Sequence, residues 1–191
     1  MAENQRLVIG ISGASGAALG VRLLQACQSL GVETHLVISK AGEITIAQET
    51  DFSVSEVRAL ASHTHKSADI GASIASGSYP TMGMVVVPCS IRTMSEIATG
   101  VTSSLLTRAA DVCLKERRRL ILAVRETPLH TGHLRTLTQL SEMGAIIAPP
   151  MPAFYTRPQT TDEIVDQFTG HLLRLLGIEN DLAREWTGLK G

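Results

Sequence analysis

The chain lacks the features that mark a membrane, secreted or nucleic-acid-binding protein. Only 3% of its 191 residues are aromatic, and no apolar run approaches the length of a membrane span. The formal net charge is -1, with acidic and basic residues mixed along the chain, so no basic surface for nucleic acid is expected. The N-terminus has no signal-peptide pattern. These absences predict a cytoplasmic globular protein with neither a membrane span nor a nucleic acid partner.

Cysteine is scarce, and its spacing does not suggest metal binding. The three cysteines are odd in number, far apart and set among apolar residues, as reduced core cysteines are: Cys27, Cys89 and Cys113. Two histidine pairs, His63 with His65 and His130 with His133, lack companion cysteine or acidic ligands at a suitable spacing. We therefore expect no metal.

What the chain does have is an alternation of short apolar runs with amphipathic segments. Hydrophobic residues make up 44% and charged residues 18%, which is enough for one domain with a real core. The runs predicted as strands, apolar throughout as in sheets buried on both faces, are 7–11, 36–38, 84–87, 120–124 and 145–148. The segments predicted as helices are 17–30, 41–50, 54–62, 104–117, 132–143 and 161–176.

This alternation predicts the fold class. Residues 1–191 are expected to form one α/β domain with a single doubly wound, mostly parallel sheet flanked by helices, Rossmann- or flavodoxin-like. A C-terminal helix and tail begin at about residue 161. Gly31 and Gly177 stand where the first and last helices should end.

The segment 10–17, GISGASGA, joins the first predicted strand to the first predicted helix. Its glycine spacing is G-x-x-G-x-x-G, which differs from the G-x-G-x-x-G of dinucleotide-binding folds. The next strand ends in Ser39-Lys40, where a dinucleotide fold would place an acid. A helix start beside a hydroxyl and a cation suits a phosphate, although glycine also occurs in such turns for packing alone.

Polar residues that follow the other strands are further candidates, because ligands bind beyond the carboxyl ends of parallel strands. Ser90 and Thr93 suit either a helix cap or contacts with a phosphate or flavin. Arg125 suits an anion or a flavin carbonyl, and Glu126 in a partly dry pocket would act as a general acid. The alternative for Arg125 and Glu126 is a structural ion pair at the strand end.

Three features lie outside those loops. Arg108 and Lys115 are two helical turns apart on one face, which fits either a solvated stripe or a subunit interface. Glu49 ends the second predicted helix, a position that is more often surface than catalytic. The proline-rich segment 149–155 would form a rigid loop that fixes Tyr155 in place.

Together these residues resemble the UbiX/Pad flavin prenyltransferases. The resemblance covers nearly the whole chain, with motifs in the right order: Gly13-Ala14-Ser15-Gly16, Glu49-Thr50, Ser76-Gly77-Ser78, Pro88-Cys89-Ser90, Arg108-Ala109-Ala110-Asp111, Lys115-Glu116, Arg125-Glu126 before Pro128, and Pro152-Ala153-Phe154-Tyr155. It implies a metal-independent enzyme that transfers a dimethylallyl group from dimethylallyl phosphate to N5 and C6 of reduced FMN. The prenylated FMN would serve a separate UbiD-type decarboxylase, and the enzyme would be a homo-oligomer, a dodecamer.

The resemblance also implies roles for individual residues. FMN would be held by residues of the strand-end loops: Gly13, Ala14, Ser15, Ser39, Ser90, Thr93 and Arg125. The prenyl phosphate would be surrounded by charged and polar side chains. Arg108 and Lys115 would come from neighbouring subunits, and the others are Arg125, Glu126, Tyr155 and His171. Trp186 would face the allylic cation. Protons would be handled by Ser15, Glu49 and Glu126.

One residue departs from the family pattern, and two other functions remain open. Many members have an arginine where this chain has His171, so either His171 replaces it or Arg174 does. An FMN-dependent cysteine-type decarboxylase would need a catalytic histidine and an asparagine motif, neither of which is found in the sequence. A non-enzymatic FMN-binding subunit of a decarboxylase is the other alternative. Whether the donor is a monophosphate or a diphosphate, and which decarboxylase is served, is left open.

Overall fold

Six parallel strands form one sheet in the computed structural model, which describes residues 6–188. The strands are β1 (Arg6–Ile11), β2 (Glu33–Ile38), β3 (His63–His65), β4 (Gly83–Cys89), β5 (Arg119–Val124) and β6 (Ile146–Ile147). Their order across the sheet is β3-β2-β1-β4-β5-β6. The chain thus winds outward in both directions from β1 and β4, as a doubly wound fold does. The predicted fold class is confirmed.

Seven helices connect or follow the strands within the described residues. They are α1 (Ala17–Ser29), α2 (Lys40–Glu49), α3 (Val54–Ala59), α4 (Ile91–Thr99), α5 (Leu105–Lys115), α6 (Thr131–Glu142) and α7 (Thr161–Leu176). Gly177 ends α7 with a φ of 81°, and Gly31 follows α1 with a φ of 69°, so both glycines adopt the left-handed conformation expected at helix ends. In the part of the chain that the structure covers, no helix combines the length and hydrophobicity needed to cross a membrane.

Side chains of the buried strands alternate between two hydrophobic layers. Ile9 of β1 packs in a layer that contains α1 and α7 residues, whereas its neighbour Val8 packs in the layer formed with α4 and α5. Both faces of the sheet are therefore covered, which explains why the strands read as continuous apolar runs. The loops that follow the strands collect at the carboxyl end of the sheet.

Two elements differ from the sequence-based expectation. Helix α3 ends at Ala59, and residues 63–65, just beyond the predicted helix 54–62, form the unpredicted edge strand β3. This strand has the sequence His-Thr-His and is largely exposed, so it carries no apolar signal. For α4, the sequence predicted a cap at Ser90 or Thr93 but not the extent of the helix. Its buried face contains few residues, among them Met94 and Ile97.

Candidate functional site

Three helices begin at one cavity beside the carboxyl ends of β2 and β4. We call it the β2–β4 cavity; its volume is about 490 Å³, and its wall includes Ser39, Ser90 and Ser104. These serines are the N-caps of α2, α4 and α5, and each accepts a hydrogen bond from a backbone amide of its own helix. Helix N-termini carry partial positive charge and attract anions. The convergence of three of them makes the cavity electropositive.

Cationic side chains add to this charge. Two arginines of the wall are paired with glutamates of the same wall: Arg58 with Glu43 at 2.5 Å and Arg92 with Glu96 at 2.8 Å. Lys40 and Lys66 also line the cavity, and neither forms a salt bridge with any residue of the described range 6–188. The excess of cations over anions in the wall is typical of a phosphate-binding site.

The turn after β1 is fixed against the neighbouring loop by Ser12, which sequence reasoning did not single out. Its buried hydroxyl donates to the carbonyl of Pro88 at 3.0 Å and accepts from the amide of Ser90 at 2.8 Å. Gly13 lines the cavity, and a Cβ at that position would overlap the side chain of Ala41. Glycine is therefore required for the close approach of the β1 turn to the start of α2.

Glu49 reaches the N-terminus of α1 from the end of α2. Its Oε2 accepts hydrogen bonds from the amides of Gly16 at 2.8 Å and Ala17 at 3.1 Å. Burial by itself would raise the pKa of Glu49, but these two amides, the Ser15 hydroxyl and the charge of Arg125 together hold that pKa below its ordinary value. Glu49, Ser15 and Arg125 thus form one cluster, in which Glu49 is an ionised carboxylate at neutral pH.

Arg125 and Glu126 follow β5, as expected, but they do not form the alternative ion pair in the described structure. Both are exposed, and a carboxylate oxygen of Glu126 accepts from the Thr127 amide at 2.9 Å. The partly dry pocket expected around Glu126 is not formed by one chain.

A second cavity, of about 520 Å³, lies between α7 and the segment that follows it. We call it the α7 cavity; Tyr155, His171, Arg174 and Trp186 are among its lining residues. The rings of Tyr155 and Trp186 meet edge to face with centroids 5.4 Å apart. Arg174 donates to the carbonyl of Ala183 at 2.5 Å and so also holds the C-terminal segment. Cations and aromatic faces therefore share one wall.

Arg108 and Lys115 lie on α5 and line neither cavity. Arg108 donates to the carbonyl of Ala75 at 3.1 Å and pairs with Asp111 at 2.7 Å. Lys115 pairs with its neighbour Glu116. The two cations therefore have partners within the chain and face the segment around residue 75 or the surface.

The predicted site residues form three groups. Gly13, Ser39, Ser90 and Thr93 line the β2–β4 cavity, so Ser90 is both a helix cap and a wall residue. Tyr155, His171 and Trp186 line the α7 cavity, and Ser15, Glu49 and Arg125 form the cluster at α1. The predicted residues that line neither cavity and lie outside that cluster are Ala14, Glu126, Arg108 and Lys115.

Sequence reasoning missed Lys66, Ser67 and Thr107 of the β2–β4 cavity. Lys66 and Ser67 directly follow β3, so the rule about strand carboxyl ends would have found them had β3 been recognised. The expectation that His63 has no acidic companion is wrong, because Glu33 lies 3.2 Å from it across two strands.

Comparison with known proteins gives consistent matches along the chain. The family model described as Flavoprotein matches residues 1–173. The flavin prenyltransferase UbiX of Salmonella typhimurium is 58% identical over 187 residues, covering 96% of this chain and 99% of that protein. The crystal structure of AnUbiX (PadA1) with FMN and dimethylallyl pyrophosphate superimposes with a TM-score of 0.96 at 45% identity, covering 98% and 100% of the two chains. A dodecameric FMN-dependent UbiX-like decarboxylase from Escherichia coli O157:H7 gives a TM-score of 0.94 at 49% identity, covering 96% and 100%.

The cysteine decarboxylases share only the fold. The structure of the FMN-dependent cysteine decarboxylase TvaF superimposes with a TM-score of 0.63 at 18% identity, covering 76% of this chain and 90% of that one. Identity at this level supports no transfer of activity.

Proposed function

The chain belongs to the family of UbiX flavin prenyltransferases, and from this premise we propose that it transfers a dimethylallyl group from dimethylallyl phosphate to N5 and C6 of reduced FMN. One observation carries the proposal at the level of the site. Three helix N-termini and unpaired lysines converge on one cavity, while a second cavity combines aromatic faces with cations. The first arrangement suits the phosphate of a flavin nucleotide, and the second suits an allylic phosphate.

The residues present fit FMN. The β2–β4 cavity lies within the size range of cofactor sites, and its wall offers the hydroxyls of Ser39, Ser90 and Thr93 as hydrogen-bond donors. Gly13, where any Cβ would collide with Ala41, leaves the backbone of the turn open to a ligand. We propose that Ser39 and its helix bind the phosphate and that Ser90, Thr93 and Arg125 bind the ring system, with Ala14 and Ser15 contacting it through the turn.

Reduced FMN supplies the nucleophilic N5 and C6 positions. The residues of the chain must then bind the donor, stabilise the departing phosphate and keep water from the allylic cation. We propose that His171 and Tyr155 bind the donor phosphate and that the Trp186 face stabilises positive charge on the prenyl group. None of these roles requires a metal ion, since Lys115, Arg108 and Arg125 supply positive charge.

Proton transfer falls to the cluster at α1 and to Glu126. An ionised Glu49 accepts a proton and cannot donate one, and the adjacent Ser15 hydroxyl relays it. We propose that Glu126 is the general acid, which protonates the leaving phosphate. An acid–base group of this kind contributes roughly 10²-fold or more to the rate.

The site is shared between subunits in this proposal. Glu126 is exposed in the single chain, and Arg108 and Lys115 line neither of its cavities. Large apolar side chains are exposed as well, among them Phe154 at 74% and Ile44 at 69%. Such side chains are typical of surfaces buried by association. We propose a dodecamer, in which Arg108 and Lys115 of neighbours complete each site.

The product indicates the downstream partner, and the cysteines indicate the compartment. A prenylated flavin has no further role in a transferase, so we propose that the chain delivers it to a UbiD-type decarboxylase. Three free, buried cysteines agree with a reducing compartment, and we place the enzyme in the cytoplasm.

Mass spectrometry of extracted flavin tests the proposal. The protein is incubated anaerobically with reduced FMN and dimethylallyl monophosphate, and in parallel with the diphosphate. We expect FMN carrying one five-carbon adduct with at least one donor, and a rate lowered roughly 10²-fold in Glu126→Gln. Recovery of unmodified FMN with both donors would instead leave a flavin-binding subunit without transferase activity.

A further inference from the structure

A cluster of ligating side chains lies at the amino ends of β2 and β3, and none of the three that meet there lines either cavity. β2 begins Glu33-Thr34-His35, and β3 is His63-Thr64-His65. The parallel register places His35 beside His63. Because alternate residues of a strand share a face, Glu33, His35, His63 and His65 project from the same side of the sheet.

The spacing of the ligand atoms matches a metal polyhedron. Glu33 Oε1 is 3.3 Å from His35 Nε2 and 3.2 Å from His63 Nε2, and one ligand atom from each of these residues lies within 4.8 Å of the others. A tetrahedral ion with bonds of about 2.0–2.1 Å places neighbouring ligand atoms roughly 3.3 Å apart. The rings of His35 and His63 stack with centroids 4.7 Å apart, and rotation of the exposed His63 side chain would bring the third pair of ligand atoms into range.

Groups around these three side chains orient them. His35 is buried, and its Nδ1 lies 3.0 Å from His65 Nε2. When Nδ1 of His35 donates to His65, Nε2 carries the lone pair, which is the tautomer that a metal requires. Arg6 Nε lies 3.2 Å from Oε2 and 3.3 Å from Oε1 of Glu33, and its guanidinium lies 4.6 Å over the Tyr79 ring, so a metal at Oε1 would leave Arg6 on Oε2.

We propose that Glu33, His35 and His63 bind one divalent transition-metal ion of the Zn²⁺ class, with the remaining position left to the Tyr79 hydroxyl or water. The Tyr79 hydroxyl lies 3.2 Å from His35 Nε2, close enough to complete the set. Two imidazoles favour zinc or a similar ion over Mg²⁺ and Ca²⁺, which prefer oxygen ligands. The ion ties the short edge strand β3 to β2, so its role is structural and separate from the transfer reaction.

Zn²⁺ titration of the chelator-treated, FMN-loaded protein tests this site. Isothermal titration calorimetry should give one tight Zn²⁺ per chain, and Co²⁺ in place of Zn²⁺ should give visible absorption typical of a low-coordinate site. His63→Ala and Glu33→Gln should each weaken Zn²⁺ binding by about tenfold or more, since even indirect loss of a ligand's support costs that much. Zn²⁺ should also raise the Tm of the wild type and not that of His63→Ala.

His133→Ala is the matched control, because it breaks the other histidine pair, in which His130 and His133 stack with centroids 3.5 Å apart. It should leave Zn²⁺ affinity unchanged. Absence of tight binding, equal affinity in His63→Ala and Glu33→Gln, or loss in His133→Ala overturns the proposal. FMN affinity, measured on every variant, shows whether each is folded, because none of the three proposed ligands lines the β2–β4 cavity.

Discussion

At the scale of single residues, Ser12 connects two loops of the proposed flavin site. Its hydroxyl is buried and bonds both the Pro88 carbonyl and the Ser90 amide. The position of Ser90, which caps α4 and lines the β2–β4 cavity, therefore depends on a residue that contacts no ligand. A residue of this kind affects binding through geometry.

Ser12→Ala should destabilise the protein by about 1–3 kcal/mol, because the part-buried Ser90 amide loses its acceptor, whereas the Pro88 carbonyl keeps the Ser12 amide as a donor. Urea unfolding measures the change, and FMN affinity should fall with it. Ser29→Ala is the control, since Ser29 is exposed on α1 and bonds only the Gln25 carbonyl. A Ser12→Ala protein as stable as the Ser29→Ala protein would mean that water replaces the hydroxyl without cost.

Glu49 should make stability depend on pH in the acidic range. Its folded-state pKa lies below the ordinary value of 4.5, so the charged form stabilises the fold above the unfolded-state pKa. That stabilisation is lost as the pH falls through the lowered folded-state value. Glu49→Gln keeps an oxygen acceptor for the Gly16 and Ala17 amides but carries no charge to lose.

Urea unfolding at pH 7 and at successively lower pH values below 4.5 measures this effect. We expect the wild type to lose more free energy of unfolding across this range than Glu49→Gln does. Glu142→Gln, which alters an exposed carboxylate at the end of α6, should follow the wild-type curve. Parallel curves for wild type and Glu49→Gln would show that Glu49 has the same pKa in both states.

At the scale of elements, α7 carries both side chains that are candidates for binding the donor phosphate, His171 and Arg174. His171 and Arg174 line the same cavity, but Arg174 already bonds the Ala183 carbonyl and lies 3.8 Å from Glu185. His171 is the exposed side chain of the two. The helix therefore leaves the imidazole exposed in the cavity, where we propose that it binds the donor phosphate, and uses the guanidinium to hold the C-terminal segment.

His171→Ala should weaken dimethylallyl phosphate binding roughly 10- to 100-fold, the range for loss of a hydrogen bond to a charged group. His171→Arg should bind the donor at least as tightly as wild type, because the guanidinium offers a charged fork of donors to the phosphate. Calorimetry on the FMN-loaded protein gives both values. Unchanged affinity in His171→Ala together with lost affinity in Arg174→Ala would show that Arg174, one turn further along α7, binds the phosphate.

Elements also explain which site residues were predictable. Gly13, Ser39 and Ser90 could be predicted as residues of the cavity wall because they follow strands that are apolar runs in the sequence. Lys66 was missed because β3 consists of three polar residues, whose strand conformation comes from pairing with β2 and not from burial. The predicted helix 54–62 extends beyond α3, because nothing in the sequence of residues 60–62 signals the end of a helix.

At the scale of the whole molecule, residues 6–188 of one chain do not form a closed site. Glu126 is exposed, Lys115 lines neither cavity, and Phe154 and Trp186 are more than half exposed. Association of subunits would cover these groups and exclude water from the allylic cation. Activity should therefore depend on assembly.

Mixed assemblies test this dependence. Lys115→Ala and Glu126→Gln chains are co-expressed with different tags, and mixed oligomers are isolated by both tags. If each site combines Glu126 of one chain with Lys115 of a neighbour, random mixing should restore about one quarter of wild-type sites. Each variant assembled alone should remain defective. Native mass spectrometry confirms mixing, and no recovery in confirmed mixed oligomers would mean that each site belongs to a single chain.

The sequence by itself determined the fold class, the buried strands, most helix boundaries and the family, because apolar periodicity and the motifs at strand ends are local properties of the chain. Only the tertiary structure decided which side chains meet. It grouped Glu49 with the α1 amides, gave three helices a common N-terminal cavity, exposed Glu126, and brought Glu33 and His35 to His63 from another strand. These contacts join residues far apart in sequence, and they depend on strand order and register, which no local pattern specifies.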